Sequence, residues 1–124
     1  MLETKGTITD QTLSILIDPS AIESFISGVA LKRIKVKAVK QDKFSFVEMA
    51  SGDKQKVGGR VTDYILNLGE FVTRANLYIT ILGSYDVVIG MDWLESHEVI
   101  LNCKTKRLSL VDDEEQRCVI VGQN

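Results

Sequence analysis

Residues 85–94 read Tyr85-Asp86-Val87-Val88-Ile89-Gly90-Met91-Asp92-Trp93-Leu94, an apolar strand core that ends at a glycine and runs straight into a short helix. The helix is predicted over residues 91–97, because Met91 and Leu94 can share an inward face. Asp92 lies near the positive helix N-terminus, so it is interpreted as a structural residue that starts the helix. His97 is interpreted as a surface or helix-end residue, and Asp86 as a turn acid or a member of a surface pair.

A second apolar strand, residues 12–17, carries an acid at its end and continues into Asp18-Pro19-Ser20-Ala21. A carboxylate delivered by a buried strand costs free energy unless something pairs with it or shares its proton. Asp18 is therefore either a turn-capping residue or a residue that does chemistry, and the local sequence leaves both interpretations open. Glu23, further along the chain, is expected to point to solvent.

Short β-strands dominate the rest of the chain, and their pattern predicts a β-rich domain. A first hairpin is predicted over residues 5–9 and 12–17, and a second over 44–50 and 54–62, with its tip at Ser51-Gly52-Asp53. Residues 21–32 are ambiguous, because Ile22, Phe25, Ile26 and Val29 have helical spacing but Gly28 disfavours a helix. The other predicted strands are 34–40, 63–68, 71–82, 85–89, 98–102, 106–111 and an edge strand at 118–121.

Composition restricts the class of protein. A length of 124 residues fits one domain, predicted over residues 1–124 with its core at about 5–111 and a C-terminal tail at 112–124. The net charge of −2 and eight aromatic rings at mostly core-spaced positions argue against a nucleic-acid or anionic-membrane partner. No apolar run is long enough to span a membrane, and no secretory signal is recognised.

Cysteine and histidine usage limits the chemistry further. Cys103 and Cys118 have no metal-type spacing, so they are interpreted as thiols of an intracellular, cytoplasmic protein, with a disulfide as the less favoured reading. His97 is the only histidine in the chain, which disfavours a Ser-His-Asp triad and a histidine-rich metal site.

Two blocks of sequence, residues 16–27 and residues 85–94, together resemble the retropepsin-like aspartic proteases, most closely the protease domains of gypsy-type LTR-retrotransposon polyproteins. Residues 16–27 are similar to that family's strand, its Asp-Ser/Thr-Gly-Ala turn and the Ser-Phe-Ile that follows. Residues 85–94 are similar to its apolar strand, glycine and Met-Asp-Trp-Leu helix, and His97 and residues 100–103 also fit. The resemblance covers roughly residues 5–111.

This resemblance implies an all-β fold, a small closed acid-protease barrel with one short helix after Gly90. It also implies an aspartic endopeptidase of a retroelement polyprotein, without metal or organic cofactor. Because each chain offers one acid turn, the active form is expected to be a homodimer that cleaves an extended polypeptide. The site residues implied are Asp18 as the catalytic acid, Pro19, Ser20 and Ala21 as the active-site floor, and Ser51, Gly52 and Asp53 as the flap.

Pro19 and Ser20 depart from the family's turn, where Ser/Thr and Gly are usual. Pro19 has neither a hydroxyl nor an N–H donor. Ser20 carries a Cβ, so a positive φ at this position would cost about 1 kcal/mol. Its hydroxyl is a candidate to replace the missing one, shifted by one residue. The alternative function is a catalytically silent retropepsin-like module for dimerisation or peptide binding.

Overall fold

The computed structural model describes residues 1–34, 45–48, 54–69, 71–112 and 114–123. Its α-helices are α1 (Gly28–Ile34) and α2 (Met91–Leu94), and a 3-10 turn at Glu95–His97 continues α2. Beyond Ile34, the predicted strand 34–40 lies outside the described residues, as does the predicted flap at Ser51, Gly52 and Asp53. The strands are β1 (Leu2–Ile8), β2 (Gln11–Ile17), β3 (Phe25–Ser27), β4 (Ser45–Glu48), β5 (Lys54–Val57), β6 (Arg60–Leu68), β7 (Phe71–Thr80), β8 (Val87–Ile89), β9 (Ile100–Asn102), β10 (Arg107–Val111) and β11 (Arg117–Val121).

Six strands close into a barrel in the order β1-β2-β8-β3-β7-β6, and β6 returns to β1 through the pair Thr7–Asn67. The predicted closed barrel is confirmed. β1 and β2 form the predicted first hairpin, whose two-residue loop has Thr9 and Asp10 at φ 49° and 65°. Positive φ at both loop residues matches the right-handed twist of the strands, so this turn leads each strand back into the barrel.

Alternate residues of β1, β2 and β8 fill the barrel, and all three residues of β3 are buried. The side chains of β2 and β8 with no exposed surface are Leu13, Ile15, Ile17, Val87 and Ile89. Successive side chains of a strand point to opposite faces, so Leu16 and Val88 lie outside this core and are half buried. In both strands, one face therefore packs in the core, and the opposite face carries an apolar side chain, Leu16 or Val88, that is free to make a different contact.

The register of β2 and β8 brings the two blocks together. The strands are parallel and pair Ile17 with Ile89, so Asp18 and Gly90 follow at the same end of neighbouring strands. β3 flanks β8 on its other side, where Phe25 pairs with Val88. The acid turn and the start of α2 are therefore neighbours, although the sequence separates them by about seventy residues.

The structure adds a second helix to the one that was predicted. Residues 25–27 form β3, and α1 starts at Gly28, so the helical spacing of Ile22, Phe25, Ile26 and Val29 is not realised as one helix. Strand pairing of Phe25 and Ile26 with both β7 and β8 outweighs that local pattern. The Ser27 hydroxyl then accepts hydrogen bonds from the N–H groups of Val29 and Ala30, at 3.2 and 3.4 Å, and caps α1.

The second hairpin is confirmed in its strands, since β4 and β5 pair from Ser45–Val57 to Glu48–Lys54. The prediction of one strand over 54–62 is wrong, because the chain breaks at Gly58-Gly59 and β6 begins at Arg60. Gly59 has a φ of 146°, a conformation that glycine adopts readily. The N–H of Gly58 donates to the carbonyl of Ile79 on β7, and the carbonyl of Gly59 accepts from the N–H of Ile79, both at 2.9 Å. The break thus lies where the backbone of Gly58 and Gly59 approaches β7 closely.

The C-terminal residues form a three-stranded sheet in the order β11-β10-β9. The predicted edge strand is confirmed at Arg117–Val121, where it pairs along its length with β10. No disulfide joins Cys103 to Cys118 in the described structure. None of the helices in the described ranges has the length and apolar character needed to cross a membrane.

Candidate active site

Asp18 leads a tight turn at the end of β2. Its N–H donates a hydrogen bond of 2.9 Å to the carbonyl of Ile89, which extends the pairing of β2 with β8 by one residue. The N–H of Ala21 donates to the carbonyl of Asp18 at 3.1 Å and closes the turn. Pro19 occupies the first corner position, where its fixed φ suits the turn. The sheet thus determines the position of the acid, and the proline restricts the turn.

Ser20 holds the carboxylate of Asp18 from within the same chain. The N–H of Ser20 donates to Oδ1 at 2.9 Å, and its hydroxyl donates to the same oxygen at 2.6 Å. Ser20 is not among the residues with positive φ, so the turn forms without the strain that a positive φ would have caused in a serine at this position. None of the described residues donates a hydrogen bond to Oδ2.

Beside Asp18 lies a cleft of about 170 Å³. Asp18 is half buried at its edge, while Pro19 and Ser20 are exposed. Apart from Asp18 and Thr80, the lining is apolar and consists of Leu16, Ala21, Phe25, Leu82 and Val88. A carboxylate at the rim of a small apolar cleft suits a ligand with an apolar side chain next to a polar, reactive group. A larger groove of about 570 Å³ lies between β1 and β11 and does not include Asp18.

The start of α2 donates hydrogen bonds to the backbone at the end of the acid turn. The N–H groups of Met91 and Asp92 donate to the carbonyls of Ala21 and Ile22, at 2.8 and 3.0 Å. Gly90 permits this approach, since a Cβ there would lie 2.7 Å from the carbonyl oxygen of Ala21 and closer still to that of Glu23. The helix N-terminus thus satisfies the backbone groups that directly follow the turn.

Asp92 and Ser24 form a second connection between the same segments. The carboxylate of Asp92 accepts hydrogen bonds from the N–H and the hydroxyl of Ser24, at 3.1 and 2.5 Å, and from the N–H of Trp93 at 2.7 Å. The hydroxyl oxygen of Ser24, a fully buried residue, also accepts from the N–H of Gly90 at 2.9 Å. The structure confirms a structural role for Asp92 at the start of the helix.

The pKa values of two further acids shift in opposite directions: Glu23, beside the acid turn, and Asp86, at the end of the β2–β8 pair opposite to Asp18. Burial raises the pKa of Glu23, and the nearby Asp92 carboxyl adds to this rise through its charge and a hydrogen bond. Partial burial also works against the charged form of Asp86, but the N–H of Ser14 and the guanidinium of Arg33 outweigh it and lower the pKa of that carboxyl. The expectation that Glu23 points to solvent is wrong, because it is half buried against Asp92.

His97 belongs to an aromatic cluster behind α2. Its ring stacks on that of Trp93, with centroids 4.2 Å apart, and meets the ring of Phe71 edge-on at 6.0 Å. The indole N–H of Trp93 donates to the hydroxyl of Thr73 at 3.0 Å, so the buried polar groups of the cluster pair with each other. His97 is at the end of the helix, as predicted, but it is half buried and packs in this cluster instead of lying on the surface.

Comparison with known proteins shows which family the chain belongs to. The family model of the PEG10/RTL1 protease domain matches residues 14–118. The chain belongs to this family. The match begins within β2, before the acid turn, and ends within β11, so both sequence blocks of this protease domain lie inside it. A search of curated proteins finds no match.

One solved structure shares the fold of this protease domain. The retroviral protease-like domain of Ddi1 from Leishmania major superposes with a TM-score of 0.74 at 19% identity, covering 100% of this chain and 94% of that one. A protein of unknown function from Legionella pneumophila gives a TM-score of 0.46 at 19% identity, covering 77% of this chain and 84% of that one. The Ddi1 likeness confirms the predicted retropepsin-like fold.

The predicted floor residues of the protease domain lie together, since Pro19, Ser20 and Ala21 form the turn around Asp18. Other segments also contribute residues to the cleft, such as Phe25 and Thr80, and these were not predicted from the sequence. The strand pattern does indicate two of the cleft residues, Leu16 and Val88. Both are apolar but alternate with core residues, so their side chains lie on the face of the sheet that is turned away from the core. Across the described residues, no cluster of three or more His, Cys, Asp or Glu side chains could hold a metal ion.

Proposed function

We propose that this chain is an aspartic endopeptidase that acts as a homodimer, with one Asp18 from each copy. The observation that carries the proposal is the position of Asp18, at the rim of an apolar cleft in a domain of a protease family. A carboxylate that served only as a turn cap would not need such a cleft beside it. The exposed Pro19 and Ser20 also leave the turn accessible to a second copy.

The proposed reaction needs the carboxyl groups of two chains. Two facing carboxylates cannot both be ionised without a large electrostatic cost, so they share one proton and titrate as a pair. The ionised group removes a proton from a bound water, which attacks the carbonyl carbon of the scissile peptide bond. The protonated group donates its proton to the carbonyl oxygen. Collapse of the resulting diol then breaks the C–N bond, and the leaving nitrogen takes a proton.

The substrate of this reaction would be an extended polypeptide. A strand laid along the cleft would place one apolar side chain among Leu16, Phe25 and Val88, within reach of Asp18. Backbone hydrogen bonds to an extended peptide supply affinity, while alternate side-chain pockets supply specificity. Ser51, Gly52 and Asp53 are proposed as the flap over this peptide, and Pro19, Ser20 and Ala21 as the floor. The origin in a gypsy-type polyprotein belongs to the same proposal.

Replacing Asp18 tests the catalytic assignment. Asp18→Asn keeps the shape of the side chain and removes its acid–base chemistry, so we expect peptide cleavage at acidic pH to fall by about 100- to 10,000-fold. Asp10→Asn is the matched control, because Asp10 lies in the exposed β1–β2 turn and asparagine tolerates its φ of 65°. Cleavage that survives Asp18→Asn would show that another residue is the catalyst.

A catalytically silent module is the alternative, and the replacement of Ser/Thr-Gly by Pro19-Ser20 favours it. In the family that the sequence resembles, the hydroxyl of the Ser/Thr at this position makes a hydrogen bond across the dimer. Pro19 has no hydroxyl, so it cannot make this bond. In this case neither the parent protein nor the Asp18→Asn variant cleaves any peptide, while sedimentation still shows a dimer. The two proposals therefore differ in one measurement on the parent protein.

A further inference from the structure

We infer that Ser20 is a positioning residue that makes the two oxygens of the Asp18 carboxylate unequal. This inference rests on the proposed function and concerns the same site. Both donors of Ser20, its N–H and its hydroxyl, go to Oδ1, at 2.9 and 2.6 Å. No described residue donates to Oδ2. One oxygen is therefore occupied by the turn itself, and the other is left open for the reaction.

The hydrogen bonds determine which oxygen carries charge and which carries the proton. Hydrogen bonds to an ionised oxygen are short and strong, and the hydroxyl–oxygen distance of 2.6 Å lies in the charge-assisted range. Negative charge is therefore stabilised on Oδ1, and a proton is favoured on Oδ2. When Asp18 acts as the acid, the O–H bond that breaks is the one on Oδ2. When it acts as the base, its new O–H bond forms on Oδ2.

The arrangement also accounts for the departure from the family's turn. Glycine at residue 20 would provide the N–H but no hydroxyl. In this chain Pro19 removes a hydroxyl from one position and Ser20 adds one at the next, directed to the carboxylate of its own chain. Each copy of a dimer would thus orient its own acid, without a hydroxyl from its partner.

Three substitutions at residue 20 test the role of the hydroxyl in cleavage. Ser20→Ala and Ser20→Gly both remove it, and loss of one charge-assisted hydrogen bond predicts a kcat about 10-fold lower with KM unchanged. Ser20→Thr keeps a hydroxyl and is expected to recover most of kcat. Ser109→Ala is the control, since Ser109 on β10 accepts a hydrogen bond from Arg117 on β11 and does not line the cleft.

The glycine variant separates this inference from a simple preference for the family's turn. If Ser20→Gly is as fast as the parent or faster, the hydroxyl has no positioning role and the inference is overturned. If the parent cleaves and the alanine variant matches it, the inference fails while the proposed function stands. If the parent does not cleave at all, both proposals fail together.

Carbon-13 NMR of the aspartate carboxyl carbons tests the hydrogen bond without cleavage. Ser20→Ala is expected to move the Asp18 signal and to leave the signals of Asp10 and Asp63 in place. Ser20 is exposed, so the variants are expected to fold, and the unmoved control signals verify this. An Asp18 signal that stays in place in the alanine variant overturns the inference.

Discussion

Gly90 is the residue on which the geometry of the acid turn depends most directly. The space that a side chain would need at this position already contains the backbone carbonyls of Ala21 and Glu23. This close approach lets the N–H of Met91 reach the carbonyl of Ala21 at 2.8 Å. At the scale of single residues, the absence of one Cβ and the two donors of Ser20 define where the Asp18 carboxylate lies.

Gly90→Ala is expected to destabilise the fold by about 3 kcal/mol, because backbone cannot move aside as a flexible side chain can. The midpoint of chemical denaturation measures this effect. Gly83→Ala is the matched control, since Gly83 is exposed and no atom lies within 4 Å of its built Cβ. We expect the control to change stability by less than about 0.5 kcal/mol. Equal stability of the two variants would contradict the packing argument.

At the scale of elements, three segments meet around the start of β8. The guanidinium of Arg33, near the end of α1, contacts the carboxylate of Asp86 at 3.0 Å. The same carboxylate accepts a hydrogen bond from the N–H of Ser14 on β2 at 2.9 Å, and the N–H of Asp86 donates to the carbonyl of Ser14 at 3.0 Å. These bonds hold the parallel pair β2–β8 at the end opposite to Asp18. The sequence predicted Asp86 as a turn or paired acid but could not identify its partners.

Asp86→Asn is expected to lower stability at neutral pH by about 1 kcal/mol, since the ion pair is partly exposed but the hydrogen bond from Ser14 is charge-assisted. The pKa of Asp86 is lowered in the folded state, so its contribution is present above the unfolded-state pKa and is lost as pH falls through the folded-state pKa. Thermal melts from pH 7 to pH 3 should therefore show parent and variant converging.

Glu23→Gln is the control with the opposite sign. The pKa of Glu23 is raised in the folded state, so its ionisation destabilises the fold as pH rises through the unfolded-state value and then the folded-state value. The glutamine variant should be more stable than the parent at neutral pH and lose this advantage in acid. If both variants, Asp86→Asn and Glu23→Gln, differed from the parent in the same direction at neutral pH, the electrostatic account of these two acids would be contradicted.

At the scale of the whole molecule, the barrel supplies one acid turn, and the proposed chemistry needs two. The turn residues Pro19 and Ser20 are exposed, as is Ile22, which follows them with 44% of its surface accessible. An isologous pairing of two copies would bring identical surfaces together around a two-fold axis. Cleavage should then depend on protein concentration in a way that a self-contained site would not show.

Mixing experiments test this dependence. In an equal mixture of parent and Asp18→Asn at fixed total concentration, about a quarter of the dimers carry two intact acids, so activity should fall to about that fraction. An equal mixture with Asp10→Asn should keep full activity. A mixture with Asp18→Asn that keeps half of the activity would mean that each copy works alone. Sedimentation over the same concentrations measures the dimer directly.

The sequence by itself determined most of the strand segments, the acid turn and the strand–glycine–helix junction, because all three depend on neighbouring residues and on period-two alternation. Only the tertiary structure decided the strand at Phe25–Ser27, since pairing with β7 and β8 outweighed its local helical spacing. It also decided the cleft, which side chains from several separate segments line. Those features depend on how close separate segments come in space, and distances across a closed barrel are not encoded in any local pattern.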